Sequence, residues 1–396
     1  MIYFQSLSLS DLEAMLLPFS HIKKAGDLTP DELEIKKMKR ARFRAKQIYH
    51  WVYQRFVSDW DEMTDLSKDL REWLKSNVEF YRIGTEVTQQ SDDGTFKVLW
   101  KLSDKKTIES VIIPSFGNEV ESKRDGFSGK STETSLDSEK WSRHTICISS
   151  QVGCTMGCKF CLTGIQGLDR HLETYEIVSQ VWELRKKIKI SNIVFMGMGE
   201  PLHNLDSVIK ACQIFVEEDG MNFSKRKVTV STSGIVPAID TLGKSVDVSL
   251  AISLNATTDE IRSQIMPVNR KWNIESLMAA CKRYPLGLRR KITIEYVLLE
   301  DVNDSLEDAR RLVKILRGVP NKVNLIPFNE HSGADFKRPS DGRVRDFQNI
   351  LINSGLTATV RISRGRDILA ACGQLRSLLG TARGTERHVD YQVNSL

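Results

Sequence analysis

Three of the chain's seven cysteines fall within eight residues, Cys154-Thr-Met-Gly-Cys158-Lys-Phe-Cys161. Three thiolates on one short loop make a soft, negatively charged pocket that suits an iron–sulfur cluster or zinc. Three are also one fewer than a closed tetrahedral site needs, which leaves a coordination position open for chemistry. The remaining cysteines, Cys147, Cys212, Cys281 and Cys372, are scattered. An odd total with three clustered does not read as a secreted disulfide framework; it fits a reducing compartment and metal or catalytic use.

The loop needs elements to hold it. A strand-like run, 145–150, leads into it and a helix-like run, 174–188, leads away. The alternation continues with strands expected at 192–198, 227–231, 247–254, 291–299 and 322–327, and helices at 205–217, 235–243, 273–284, 304–317 and 341–353. That is about six βα units, with a short seventh strand at 357–362. Ile193-Val-Phe-Met196 is apolar at every position, as parallel strands covered on both faces are. The expected fold class is α/β, a partial (βα)6 TIM-like barrel over 144–375, with an open doubly wound sheet as the alternative. Both architectures put their site at the C-terminal strand ends. There stand the cysteine loop, Gly197-Met-Gly-Glu-Pro201, Ser231-Thr-Ser-Gly234, Ser253-Leu-Asn255 and Asn329. Packing does not call for polar and glycine-rich residues at consecutive strand ends.

At 396 residues the chain has room for a second, smaller unit. Residues 1–83 read as an accessory helical domain. Thr29-Pro-Asp-Glu has helix-start chemistry, and seven of the eleven residues from Lys36 to Lys46 are Lys or Arg. That run is an RNA-facing patch or simply a solvated helix face. Trp51, Tyr53 and Phe56 are expected in the core. Residues 84–114 alternate as a small antiparallel β extension around the Asp92-Asp-Gly94 turn. Glu109, within its last strand, reads from pattern alone as a solvent-facing acid. Residues 115–143 are Ser-, Gly- and Lys-rich and read as a flexible insertion, and 376–396 as a basic tail. Arg361, Arg364, Arg366, Arg376, Arg383 and Arg387 make this end basic and suit phosphate contact as well as solvation. Cys212 and Cys281 are expected in the core, and His203, His331 and His388 carry no ligand-like spacing. The net charge of +6 permits an anionic partner without requiring one. No apolar run reaches membrane-spanning length, and Met1–Asp11 lacks the pattern of a signal peptide, so a cytoplasmic protein is expected.

The cysteine loop after a first βα strand, with Gly-Glu-Pro after the second, resembles the radical S-adenosylmethionine (SAM) superfamily. Cys147-Ile-Ser-Ser-Gln-Val-Gly-Cys154, Gly197-Met-Gly-Glu-Pro-Leu202, Val230-Ser-Thr-Ser-Gly234, Asn324-Leu-Ile-Pro327 and Arg364-Gly-Arg-Asp-Ile-Leu-Ala-Ala-Cys372-Gly-Gln-Leu375 are similar to the RlmN/Cfr family of RNA adenine-carbon methyltransferases. Phe43-Arg-Ala-Lys-Gln47 and Met63-Thr-Asp-Leu-Ser67 resemble that family's small helical domain.

The resemblance implies a [4Fe–4S] cluster on Cys154, Cys158 and Cys161, whose fourth iron takes SAM. It implies Gly199, Glu200, Ser231, Ser253, Leu254, Asn255 and Asn329 as SAM contacts. Adenine C2 is an electron-poor carbon that does not attack a sulfonium methyl, so a methyl group must first be parked on a nucleophile, and a thiolate suits that task. By resemblance Cys372 is this carrier, loaded by one SAM and activated by a second. Cys147 then resolves the RNA adduct through a transient disulfide with Cys372, and Glu109 accepts the ring proton. The substrates implied are 23S rRNA at the peptidyl-transferase centre and the adenosine 3′ to the tRNA anticodon. A low-potential donor such as flavodoxin or ferredoxin, and a monomer, are expected. Asn255 stands where the family usually has histidine, Leu162 where a small residue is common, and Pro327-Phe-Asn329 replaces Pro-Trp-Asn. The nearest rival is the C8-methylating branch; the rival from another class is a non-catalytic zinc protein that binds RNA.

Overall fold

The structure, a computed structural model, describes residues 1–20, 29–115, 143–361, 363–371 and 373–375. The body of the 115–143 insertion, the 376–396 tail with Arg376, Arg383, Arg387 and His388, and Cys372 lie outside the described residues.

One ten-stranded sheet organises the molecule. Its strands are β1 (Gly84–Gln90), β2 (Phe96–Lys101), β3 (Thr107–Ser115), β4 (Arg143–Cys147) and β5 (Ile190–Phe195). They continue as β6 (Val228–Thr232), β7 (Ser249–Ser253), β8 (Ile292–Leu298), β9 (Asn321–Pro327) and β10 (Ala358–Val360). Their spatial order is their chain order. β1 to β4 pair antiparallel, and β4 to β10 pair parallel. The parallel part is the expected series of six βα units with a short seventh strand. Residues 84–114 form antiparallel strands, and these belong to the same sheet. β3 pairs with β4 through Val111↔Cys147 and Ile113↔Thr145, so the hairpin extends the main sheet. The unpaired edge of the first parallel strand is thereby covered.

Helices fill the crossovers. Short α1 (Leu9–Leu16), long α2 (Pro30–Tyr53) and α3 (Lys68–Asn77) precede the sheet. After β4 come the one-turn α4 (Leu162–Gln166) and then α5 (Thr174–Arg185). α6 (Leu205–Val216) follows β5 and α7 (Val236–Ser245) follows β6. α8 (Asp259–Ile265) and α9 (Ile274–Arg283) both follow β7, α10 (Leu306–Ile315) follows β8, and α11 (Asp341–Asn353) follows β9. The sequence pattern missed α8, which is too short to show a helical period.

The Thr29 start signal operates as read: its side chain accepts from the Glu32 N–H while Glu32 accepts from the Thr29 N–H, with Pro30 at the first helical position. α2 buries Ala41, Ala45, Ile48, Tyr49, Val52 and Tyr53 toward Phe4 and Trp60. The module is seated on the sheet layer through Trp182 of α5, whose indole N–H donates to the Val52 carbonyl at 3.0 Å. Tyr53 is buried, with Trp51 and Phe56 packed at the margin. Part of the basic run has internal partners: Arg42 pairs with Glu13, Arg44 donates to the Phe19 carbonyl, and Lys46 pairs with Asp219. Phe43 is 62% exposed on this helix. Cys212 and Cys281 are buried in the core, as expected. Among the described residues, no helix is long and apolar enough to cross a membrane.

Beyond β10 the chain turns back to the β1–β2 turn. Asp367 accepts from Ser91 Oγ at 2.6 Å and from the Asp92 N–H at 3.3 Å, and Asp93 accepts from the Gly365 N–H at 2.9 Å. The two ends of the sheet are thus bridged by side chains where no strand closes the barrel.

Candidate active site

The cysteine loop is stitched down at its base and along its length. Gln151–Gly153 pairs antiparallel with Leu168–His171, and the Cys154 N–H donates to the Gly167 carbonyl at 2.9 Å. The Lys159 N–H donates to the Ile265 carbonyl at 3.0 Å, and the Leu162 N–H to the Gly373 carbonyl at 2.7 Å. Thr163 Oγ1 donates to the Leu375 carbonyl at 2.5 Å. The loop therefore leans on α8 on one side and on the 373–375 segment on the other. A loop held by this many backbone bonds presents its side chains in a fixed direction.

Cys154, Cys158 and Cys161 all line one cavity at the C-terminal strand ends. Burial pushes the Cys154 thiol up to about 12, helped by the nearby Glu200 and Cys161 charges. Burial likewise raises Cys158, as do the neighbouring Cys161 and Cys154; Cys161 is raised by burial against hydrogen bonds from Gly164 and Thr163. Three neighbouring thiols, Cys154 buried and Cys158 and Cys161 half-buried, are costly to ionise together unless a cation shares their charge.

The Gly-Met-Gly-Glu-Pro turn after β5 closes a second wall. Gly199 has φ +102°, and a Cβ there would meet Gln151 Cβ at 2.5 Å; only glycine lets the turn pass this close. The turn is anchored by Gln151, whose Oε1 accepts from the Glu200 N–H at 2.8 Å. The buried Glu200 carboxylate accepts from the Ser233 N–H at 2.7 Å and the Leu202 N–H at 3.0 Å. Burial raises its pKa against those hydrogen bonds.

Gly199, Glu200, Ser231, Ser253, Asn255 and Asn329 all line the cavity. Leu254 does not. Its side chain is fully buried in the main core, its N–H donates to the Glu295 carbonyl, and its carbonyl accepts from Arg262 Nε. Asn255 has φ +56°, a conformation asparagine tolerates better than most residues. Its Oδ1 accepts from the Val297 N–H at 2.8 Å, so this side chain ties β7 to β8.

Sequence reasoning missed Glu295. It is buried on β8, lines the cavity, and accepts from Ser231 Oγ at 2.8 Å. The available signal was one acid inside the apolar strand Ile292-Thr-Ile-Glu-Tyr. Glu295 Oε1, Ser233 Oγ and Asn329 Oδ1 are buried on the cavity wall without hydrogen-bond partners among the described residues. Unmatched polar atoms around a shared space are the mark of a wall shaped for a polar ligand.

Glu109 and Cys147 stand apart from this wall. Trp100 and Ser110 face α5 through Gln180, so by strand alternation Lys97 and Glu109 face the opposite side. Cys147 is directly across from Val111 and shares that inner face. Glu109 is buried, contrary to the solvent-facing reading of its pattern, and pairs with Lys97. A second space of about 590 Å³, lined in part by Ile113, Arg361, Arg364 and Ala371, shares Ile326 and Asn329 with the first.

The model of the radical SAM superfamily matches residues 148–313, and that of the ribosomal RNA large subunit methyltransferase N-terminal domain matches 27–80. A dual-specificity RNA methyltransferase RlmN of Geobacter sulfurreducens is 49% identical over 354 residues, 89% of this chain and 91% of that protein. The RlmN of Syntrophotalea carbinolica is 50% identical over 342 residues, 86% of each chain. The crystal structure of a radical SAM methyltransferase from Sphaerobacter thermophilus superposes with TM-score 0.76 at 39% identity, covering 95% of this chain and 99% of that one.

The superfamily's cofactors are a [4Fe–4S] cluster and SAM, and the residues present fit both. Three thiols on one wall suit a shared cation, and the unmatched carboxylate, hydroxyl and amide oxygens offer acceptors to a polar ligand. Among the described residues no three His, Cys, Asp or Glu side chains converge on a single metal ion. With half its residues in common with curated relatives over nearly its whole length, the chain belongs to the RlmN family of radical SAM, dual-specificity RNA methyltransferases.

Proposed function

We propose that the protein methylates C2 of an adenosine in 23S rRNA, at the peptidyl-transferase centre, and the adenosine 3′ to the anticodon of tRNAs. The observation that carries this reading is that Glu109 and Cys147 share one inner face of the sheet, one strand apart, beneath the end of the sheet where the cysteine-lined cavity opens. A superfamily member that needed only the cluster and SAM would have no use for a buried acid and a thiol there.

Bound together, the cluster and SAM would supply a methyl group for Cys372, a radical that takes one hydrogen atom from that S-methyl group, and an acceptor for the one electron the adenine adduct must lose. Cys154, Cys158 and Cys161 hold the cluster, and Gly199, Glu200, Ser231, Ser253, Asn255 and Asn329 hold SAM. The thiolate of Cys372 carries the methyl carbon to the adenine, and Glu109 takes the ring proton. The Cys147 thiolate then attacks the Cys372 sulfur, and the S–C bond to the RNA breaks. The carbon keeps that electron pair, takes a proton, and leaves as the new methyl group. The two cysteines are left as a disulfide that must be reduced before the next turnover. The enzyme works in the cytoplasm as a monomer and draws electrons from a flavodoxin- or ferredoxin-like donor.

Nucleoside mass spectrometry on 23S rRNA and tRNA from cells with and without the protein tests the reading. 2-Methyladenosine dependent on the protein is expected in both RNAs. Finding 8-methyladenosine alone would overturn the choice of carbon, and a colourless, zinc-loaded protein after anaerobic purification would overturn the enzyme reading. Cys147→Ala should accumulate RNA crosslinked through Cys372, and Cys372→Ala should abolish methyl loading on the protein.

A further inference from the structure

Arg262 on α8 is fully buried, and its side chain is engaged by neutral groups alone. Nε donates to the Leu254 carbonyl at 2.9 Å and Nη1 to Asn269 Oδ1 at 3.0 Å. Nη2 donates to the Ser233 carbonyl at 2.6 Å and the Ser253 carbonyl at 3.2 Å. Four of its five donors are used, and among the described residues no carboxylate pairs with it. Asp259 is one step removed: Asn269 Nδ2 and the Ile274 N–H occupy its Oδ1. Burial lowers the guanidinium to about 10, which leaves it a cation at neutral pH.

A buried cation without a counter-anion is one of the costliest arrangements a protein can hold. The ionisable groups whose charge it feels are Cys158, Asp259 and Cys281. Of these, Cys158 belongs to the loop that becomes anionic when it is loaded. α8 and that loop are one packed unit. The Lys159 N–H bonds the Ile265 carbonyl, and Ile265 and Met266 share a small apolar cluster with Met156, Cys158 and Phe160. The guanidinium also grips the carbonyls of Ser233 and Ser253, both on the cavity wall, from behind.

We infer that Arg262 is the fixed countercharge of the cysteine loop, a positioning residue that stabilises the thiolate-bound cluster and favours its reduced form. Each cysteine brings a negative charge when it binds iron, and reduction adds one more. A cation in a low-dielectric wall is attracted more strongly to the more negative state, so it shifts the equilibrium toward reduction. The inference rests on the family's cluster and is independent of which RNA carbon is methylated.

The test uses the full chain, reconstituted anaerobically, with Arg262→Gln and Arg262→Lys compared to the parent. Iron and sulfide per chain and the cluster's midpoint potential, followed by its visible absorbance and electron paramagnetic resonance, are the readouts. Arg262→Gln is expected to lower the reduced-to-oxidised ratio at a given potential about tenfold, ~59 mV for one electron. Arg262→Lys keeps the charge and is expected to titrate close to the parent. Arg262→Gln failing to hold iron while Arg262→Lys loads fully would also support the countercharge. A loaded Arg262→Gln protein with the parent potential would overturn it. So would equal shifts, or equal loss of cluster, in both variants, since then the hydrogen bonds and not the charge would matter.

Discussion

Lys97 and Glu109 form an ion pair between neighbouring strands, with Nζ 3.2 Å from Oε1 and both side chains buried. Breaking such a pair by removing one partner takes this compensation from the other buried charge, which costs about 3–5 kcal/mol. Lys97→Met should therefore destabilise the protein by about that amount in urea unfolding. Lys97→Met combined with Glu109→Leu should recover most of it, because both members of the pair are then gone. Equal stability of the single and double variants would mean that the pair is solvated rather than buried.

Ser91 and Asp367 lie 276 positions apart in sequence and 2.6 Å apart in space. With Asp93 and Gly365 they hold the segment after β10 against the first hairpin. Asp367→Ala should leave the fold within about 1.5–3 kcal/mol of the parent, the range for a hydrogen bond to a charged group. Methyl transfer should fall much further, because Ala371 and Gly373 on this segment line the two spaces at the site. Amide exchange over 363–371 should quicken. The Asp93 carboxyl is held below its usual value: burial raises it, but hydrogen bonds from Thr95 and Gly365 outweigh that. Its contribution is therefore present above the ordinary carboxylate range and is lost as pH falls through the lowered value, so the segment should loosen only in strong acid.

The parts of this molecule that were legible in its sequence were those written locally. Apolar runs such as Ile193-Val-Phe gave the parallel strands, and Asp341–Asn353 emerged with its expected bounds. The cysteine loop and the strand-end motifs marked the cavity because polar and glycine residues there had no packing use. What stayed hidden depends on register and long-range packing. Lys97 reads as an ordinary strand charge until β2 is laid beside β3. Glu295 meets Ser231 only because β6 to β8 are in register, and the Asp367 contacts cross most of the chain. Arg262 sits on a helix of seven residues, too short for a periodic signal.

Loading of the cysteine loop should depend steeply on pH. Burial raises all three thiols above their usual value, Cys154 to about 12, so they are protonated at neutral pH without metal. Each thiol that binds must give up a proton, so apparent affinity should rise ~10-fold per cysteine for each pH unit below its pKa. Iron and sulfide incorporated during anaerobic reconstitution between pH 6.5 and 8.5, followed by the cluster's visible absorbance, measure this directly. A flat profile would show that the thiols are already ionised.

Glu295 gives one oxygen to Ser231 and turns an unmatched oxygen toward the cavity. If that oxygen accepts a hydrogen bond from the bound cofactor, Glu295→Gln keeps the volume and loses the charge-assisted bond, worth about 1.5–3 kcal/mol. SAM affinity, measured by equilibrium dialysis on the loaded protein, should then weaken by roughly 10–150-fold. Glu295→Leu should weaken it at least as much. Parent-like affinity in Glu295→Gln would place the unmatched oxygen outside the cofactor's reach.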